Sequence, residues 1–201
     1  MPGRGSRHAE TAVADFASLI ATLAPMLAPR FGNPYALYGH SLGSLIAFEL
    51  ARELAKQGGR PPARLFVSGC PAPHLVAGLP SISDMPDDAF VNELRRLGGI
   101  PDEVLENNEI LLPMLPSLRA DMALFESYVH REPGKLDCPI LALGGSEDRF
   151  AGRRALEGWR EYTSDGSDVR IFRGDHFFIR EHRGEIVRLV AYEILQHMTG
   201  G

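Results

Sequence analysis

The sequence is short of cysteine, of long apolar runs and of any excess of basic charge. Two cysteines in 201 residues, Cys70 and Cys138, exclude a disulfide framework. Cys70 follows an apolar run and Cys138 precedes Pro139 at the start of another, so both read as small buried hydrophobes in a reducing cytoplasm. No apolar stretch approaches the roughly 20 residues that span a bilayer. The opening MPGRGSRHAE has none of the apolar character of a secretory signal. Lys and Arg number 21 against 26 Asp and Glu, a formal charge of −5, so no surface is set up to neutralise a nucleic-acid backbone. Internal repeats and low-complexity tracts are absent. What is there is an ordinary globular composition, 44% hydrophobic and 23% charged, at a length that suits one domain over residues 1–201.

Short apolar runs alternate with helical spacing along the chain. Val13, Phe16, Leu19, Ile20, Leu23 and Leu27 predict an amphipathic helix over 8–28. A brief apolar run at 35–38 is followed by Leu42, Leu45, Ile46, Leu50 and Leu54 at helical spacing, with Gly58 and Gly59 as the stop. ARLFVSGC, CPILALGG and SDVRIFRG read as buried strands, with helices over 152–163 and 181–198. Such alternation predicts an α/β protein: a mostly parallel sheet flanked by helices, with its site at the carboxyl ends of the strands. The stretch from about 72 to 137 is rich in proline and acid, with helical segments at 87–97 and 117–130. It is expected to form a helical insertion, a lid over the catalytic edge.

Gly39-His40-Ser41-Leu42-Gly43 fits the G-x-S-x-G nucleophile elbow between an apolar strand and an amphipathic helix. A sharp strained turn lifts the serine hydroxyl above the sheet. Side chains in place of the flanking glycines are expected to clash with strand and helix. The following helix aims its N-terminal N–H groups at developing negative charge, and the Leu42 N–H is the expected oxyanion donor. An elbow requires the order Ser, acid, His. LALGGSEDRF delivers Asp148 to a strand end and IFRGDHFFIREH delivers His176 to the last one. Glu147 competes with Asp148 for the acid role, and Asp175 lies too close in sequence to His176 to reach its ring. His40 is expected beside the nucleophile and His182 exposed in the last helix. His8, His74, His130 and His197 read as solvent-facing, with no metal-ligand spacing among them. The expected catalytic set is Ser41 as nucleophile, His176 as general base and Asp148 as its orienting acid.

With these motifs stated, the chain resembles the type II thioesterases, the stand-alone editing enzymes of polyketide and nonribosomal peptide synthesis. The resemblance rests on MPGRGSR, YGHSLGSLIAFELARELAKQG, LRRLGGIPDEVLENNEILLPMLPSLRADMALFESY, ILALGGSEDRF and GDHFFI, and covers essentially the whole chain. It implies an α/β-hydrolase fold with a helical lid, and the triad Ser41, Asp148 and His176. It implies hydrolysis of acyl groups from the phosphopantetheine of an acyl or peptidyl carrier protein, the expected partner, with no cofactor or metal of the enzyme's own. Fused relatives often carry the acid after the earlier strand; here that strand ends VSGCPAPH, without a carboxylate, which favours the stand-alone class. Met114, Leu118, Met122 and Phe125 are the expected acyl-pocket residues, and Arg95, Arg96 and Arg119 are candidates to meet an acidic carrier. Family members begin with further strands and a Phe-Pro-x-Ala-Gly-Gly-like loop that supplies a second oxyanion donor. The match here starts after that loop. The expectation is therefore a chain N-terminally incomplete relative to the family, with a strand edge uncovered. A general serine esterase and a catalytically impaired carrier-binding homologue are the alternatives.

Overall fold

The computed structural model describes residues 7, 10–76, 79–97, 100, 102–130 and 134–199. Four parallel strands lie in the order β1-β2-β3-β4: Ala36–His40, Arg64–Ser68, Ile140–Gly145 and Ser167–Phe172. In register, Leu65 faces Ile140 and Ile140 faces Ser167. The central strands β2 and β3 are buried along their whole length because both faces are covered, while the edge strand β4 alternates half-buried and exposed residues. Leu65, Val67, Ile140 and Ala142 enter a core with helices α1 (Phe16–Leu27) and α2 (Leu42–Lys56). The alternate residues Phe66, Leu141, Leu143 and Phe172 pack on the other face against Phe178, in the turn before α8 (Arg183–Thr199), and against Ile186 of that helix. Among the described residues the outer edge of β1 carries no partner strand.

Helix α1 begins later than its apolar spacing suggests. Asp15 caps it, accepting from the Ser18 N–H at 2.6 Å, while Val13 packs on the core from the preceding extended chain. The helix expected over 152–163 is shorter and tighter. It is α7 (Arg153–Glu157) followed by a 3₁₀ turn, Gly158–Tyr162, which buries Trp159 with its indole N–H donating to the Cys70 carbonyl at 2.9 Å.

Four helices fill the interval between β2 and β3: α3 (Pro73–Val76), α4 (Asp87–Leu97), α5 (Asp102–Leu105) and α6 (Asn108–Glu126). No strand lies among its described residues. Here the expected segment at 117–130 is corrected. Helix α6 starts at Asn108, capped by Asn107, and runs through both Pro113 and Pro116. Each proline removes a helix hydrogen bond. The burial of Leu111 and Leu115 with Phe90, Leu94 and Leu105, a small core belonging to the insertion, outweighs the loss. The end of α6 is fastened to the main body. Phe16 N–H donates to Ser127 Oγ at 3.0 Å, and Tyr128 Oη donates to Glu49 at 2.9 Å.

Candidate active site

Ser41 sits between β1 and α2 with φ 53° and ψ −124°, the one described non-glycine residue with positive φ. Its N–H donates to the Ser68 carbonyl at 2.7 Å, which ties the strained turn to β2. Its side chain caps nothing. Gly39 explains why the turn can close: a Cβ there falls 2.0 Å from the Gly43 carbonyl oxygen. Gly43 differs from expectation. A Cβ there meets nothing within 4 Å, so the second glycine answers no clash. It borders the cavity over Ser41 and leaves that space open. Leu42 opens α2, so its N–H belongs to the first turn, where intrahelical acceptors are lacking.

Asp148 and His176 meet. His176 Nδ1 lies 2.9 Å from Asp148 Oδ2, and both residues are only 6% exposed. The other carboxylate oxygen accepts from the N–H groups of Phe150 at 2.8 Å and Ala151 at 3.1 Å, which fixes the turn after β3. Burial pushes the Asp148 carboxyl up, but the hydrogen bond and charge of His176 and the two N–H donors outweigh it, and the pKa is lowered. An ionised carboxylate only accepts, so Nδ1 carries the proton and Nε2 keeps a lone pair able to accept one. Glu147 is exposed and takes no part in this contact. Asp175 is occupied in its own turn, accepting from the Phe177 N–H at 2.7 Å. Ser41 and His176 border one cavity of about 450 Å³, and among the described residues no hydrogen bond yet joins them.

His40 stands beside this pair, its ring centroid 5.0 Å from that of His176 and its Nδ1 3.0 Å from Ser68 Oγ. Burial, and then the charge of His176, push its pKa down to about 4, so the ring stays neutral beside His176. Gly69, not singled out in the sequence, makes room for both. With φ +57°, a Cβ there would lie 2.9 Å from His40 Cε1 and 3.2 Å from His176 Cε1. The signal was the SGC that ends β2.

Of the expected acyl-pocket residues, Leu118, Met122 and Phe125 border the Ser41 cavity together with Ile46, Leu94, Leu97, Phe150 and Phe177. Met114 does not. It is 39% exposed on α6 and departs from the expected set. Arg119 is spent inside the insertion, where it bonds the Ser83 carbonyl and Asp87 and stacks 4.3 Å over Phe90.

His74 is exposed, as expected, while His130 is half-buried and departs from its expectation. The Tyr162 hydroxyl accepts the His74 N–H at 3.0 Å, and lies 3.0 Å from His74 Nδ1 and 3.3 Å from His130 Nε2. One buried hydroxyl thus holds both roots of the insertion. His182 is half-buried in the turn before α8, with Nε2 at 2.9 Å from the Arg173 carbonyl. His8 lies outside the described residues, and nothing is described of the His197 side chain. Among the described residues no three His, Cys, Asp or Glu side chains gather as a metal site, and no helix is long and apolar enough to cross a membrane.

Comparison with known proteins places this geometry. The chain is 37% identical over 203 residues to linear gramicidin dehydrogenase LgrE of Brevibacillus parabrevis, covering 100% of this chain and 77% of that protein. The dehydrogenase in that name is said of that protein alone. Thioesterase PikA5 of Streptomyces venezuelae is 35% identical, over 96% of this chain and 69% of its own length. The solved type II thioesterase BorB from the borrelidin biosynthetic cluster superposes with a TM-score of 0.86 at 36% identity, over 96% of this chain and 78% of that one. The parallel sheet flanked by helices is the α/β-hydrolase architecture of these neighbours. The thioesterase-domain family model matches residues 1–193, and with relatives of this identity over nearly the whole chain the conclusion is direct: the chain belongs to the thioesterase-domain family of serine hydrolases.

Proposed function

We propose that this chain hydrolyses acyl groups from the phosphopantetheine thioester of acyl or peptidyl carrier proteins, clearing misprimed or stalled chains from polyketide or nonribosomal peptide synthases. The observation that carries the reading is the buried Asp148–His176 hydrogen bond of 2.9 Å at the mouth of the cavity that Ser41 borders. His176 Nε2 takes the Ser41 proton as Oγ adds to the thioester carbonyl carbon. The oxyanion that forms is met by the Leu42 N–H and the positive end of α2. Collapse breaks the C–S bond, and His176 returns the proton to the departing pantetheine thiol. Water, deprotonated by the same nitrogen, then splits the acyl ester and frees Ser41. Asp148 holds the tautomer and stabilises the imidazolium between these steps.

In this reading residues 1–201 form one domain, 72–137 act as a lid, and Leu118, Met122 and Phe125 line the acyl pocket. The chemistry as written draws on no cofactor of the enzyme. The partners are neither nucleic acids nor membranes, in keeping with the charge of −5. A reducing cytoplasm suits two free buried thiols, with burial pushing the Cys138 thiol up to about 12.

The test is mass spectrometry of an acylated carrier protein incubated with wild-type and Ser41→Ala protein. Acyl release by wild type alone is expected, and equal persistence in both overturns the hydrolytic reading. Co-purification with the carrier in that case would leave a binding homologue. Comparable rates on simple oxygen esters and carrier thioesters would point to a general esterase.

A further inference from the structure

A second cavity, about 660 Å³, lies between the insertion and the main body, beside the Ser41 cavity. The two share a wall: Leu97, Met122, Phe125 and Phe150 border both. The floor and sides of the second cavity are largely apolar, with Val76, Leu79, Ile82 and Val129. Three of the charged groups that border it are paired within the insertion. Glu126 accepts from both Ser81 and Ser83 hydroxyls and from the Ile82 and Ser83 N–H groups, and Arg96 pairs with Glu93 at 2.7 Å. Largely apolar walls suit hydrocarbon, although Arg149 and His130 also border the space and His130 Nδ1 has no hydrogen-bond partner among the described residues.

We propose that this cavity is a second acyl chamber for the distal end of long chains, and that Met122 is the partition residue that sets how far a chain reaches. This rests on the hydrolytic reading of the Ser41 site. Among the four wall residues, the two aromatic ones are held. Phe125 is buried in the main core and packs its ring 5.6 Å from Phe150. Phe150 is tied by its N–H to Asp148 and stands edge-on to His176 at 5.7 Å. Leu97 ends α4 and packs on the insertion core, as Met122 also does. Met122 is half-buried in α6, unbranched and flexible, so it is the wall member that can change rotamer when a chain presses on it. A short acyl group stays in the Ser41 cavity. A longer one displaces the Met122 side chain and gains the second cavity.

The experiment measures kcat/KM for butyryl, octanoyl and myristoyl thioesters of one pantetheine carrier, and reads the myristoyl-to-butyryl ratio. Each methylene that gains burial contributes about fourfold. Met122→Ala is expected to raise the ratio at least tenfold, and Met122→Trp to lower it. Leu79→Trp fills the second cavity from the side away from Ser41 and is expected to lower the ratio without removing the partition. An unchanged ratio in all three variants, with butyryl release persisting, overturns the proposal. A change in KM that follows the length of the pantetheine arm and not of the acyl chain would assign the cavity to that arm and overturn it equally. Myristate binding to Ser41→Ala protein, followed by displacement of a fluorescent fatty acid, reads the chamber without turnover. Binding that Leu79→Trp weakens upholds the chamber even where hydrolysis fails, and binding indifferent to Leu79→Trp overturns it.

Discussion

The carbonyl oxygen of Gly43 occupies the place where a side chain at Gly39 would begin, 2.0 Å from its ideal Cβ. The clash is with helix backbone, which cannot swing aside. Gly39→Ala is therefore expected to destabilise the protein by about 3 kcal/mol, the upper part of the range for overpacking. Gly43→Ala should behave oppositely: open space and better helix propensity stabilise it by up to about 1 kcal/mol, while the added methyl intrudes on the Ser41 cavity and slows turnover. Thermal unfolding of both variants checks the asymmetry. Equal destabilisation would refute it.

Asp148→Asn should keep the fold and lose activity by about 10³–10⁴-fold, because an amide at this position no longer enforces the Nδ1–H tautomer. Glu147→Gln, an exposed neighbour whose backbone N–H donates to the Gly174 carbonyl, should stay within about twofold of wild type. Steady-state rates of the two variants side by side decide which carboxylate serves His176.

Stability should fall with acid in a defined window. His40 titrates near 4 in the folded chain against an ordinary 6.5. Between those values the unfolded chain binds a proton that the folded one does not, so stability drops as pH falls from 6.5 and the loss is complete near pH 4, at roughly 2–3 kcal/mol. The lowered Asp148 pKa adds a further loss only below its ordinary range, as pH falls through its folded value. Urea unfolding from pH 7.5 to 4.5 measures the slope, and His40→Gln should flatten it. An equal slope in variant and wild type would remove His40 as the cause.

Tyr162→Phe deletes one hydroxyl and strands three partners: the His74 N–H, His74 Nδ1 and His130 Nε2. A loss of about 1–3 kcal/mol is expected. Hydrogen exchange should quicken at both roots of the insertion and less in the central strands. Uniform acceleration across the sheet would mean that the hydroxyl supports the core generally and not the insertion.

Much of this fold was legible because the local signals agree with the packing. The strands at ARLFVSGC and CPILALGG are buried on both faces, so their unbroken apolar runs were unambiguous. Helix α4 coincides with its expected span because its apolar stripe meets a real core through Phe90 and Leu94. Helix α6 was misjudged because Pro113 and Pro116 argue locally against a helix that only the packing of Leu111 and Leu115 sustains. Met114 looked like a pocket residue by type, but it is 39% exposed and does not border the Ser41 cavity.

The sequence by itself determined the elbow at Ser41, the order of Asp148 and His176 behind it, and the alternation that demands a parallel sheet. Each of these follows from short-range chemistry: a glycine that permits a tight turn, strand ends that deliver loops to one edge, and spacing that matches a helix. Only the tertiary structure decided which carboxylate meets the imidazole, that His40 sits neutral against His176 in room left by Gly69, and that Tyr162 holds both roots of the insertion. Those are contacts between residues 28 to 136 positions apart, from Asp148 and His176 at 28 to His40 and His176 at 136, and spacing along a chain carries no information about them until the strands fix the chain in space.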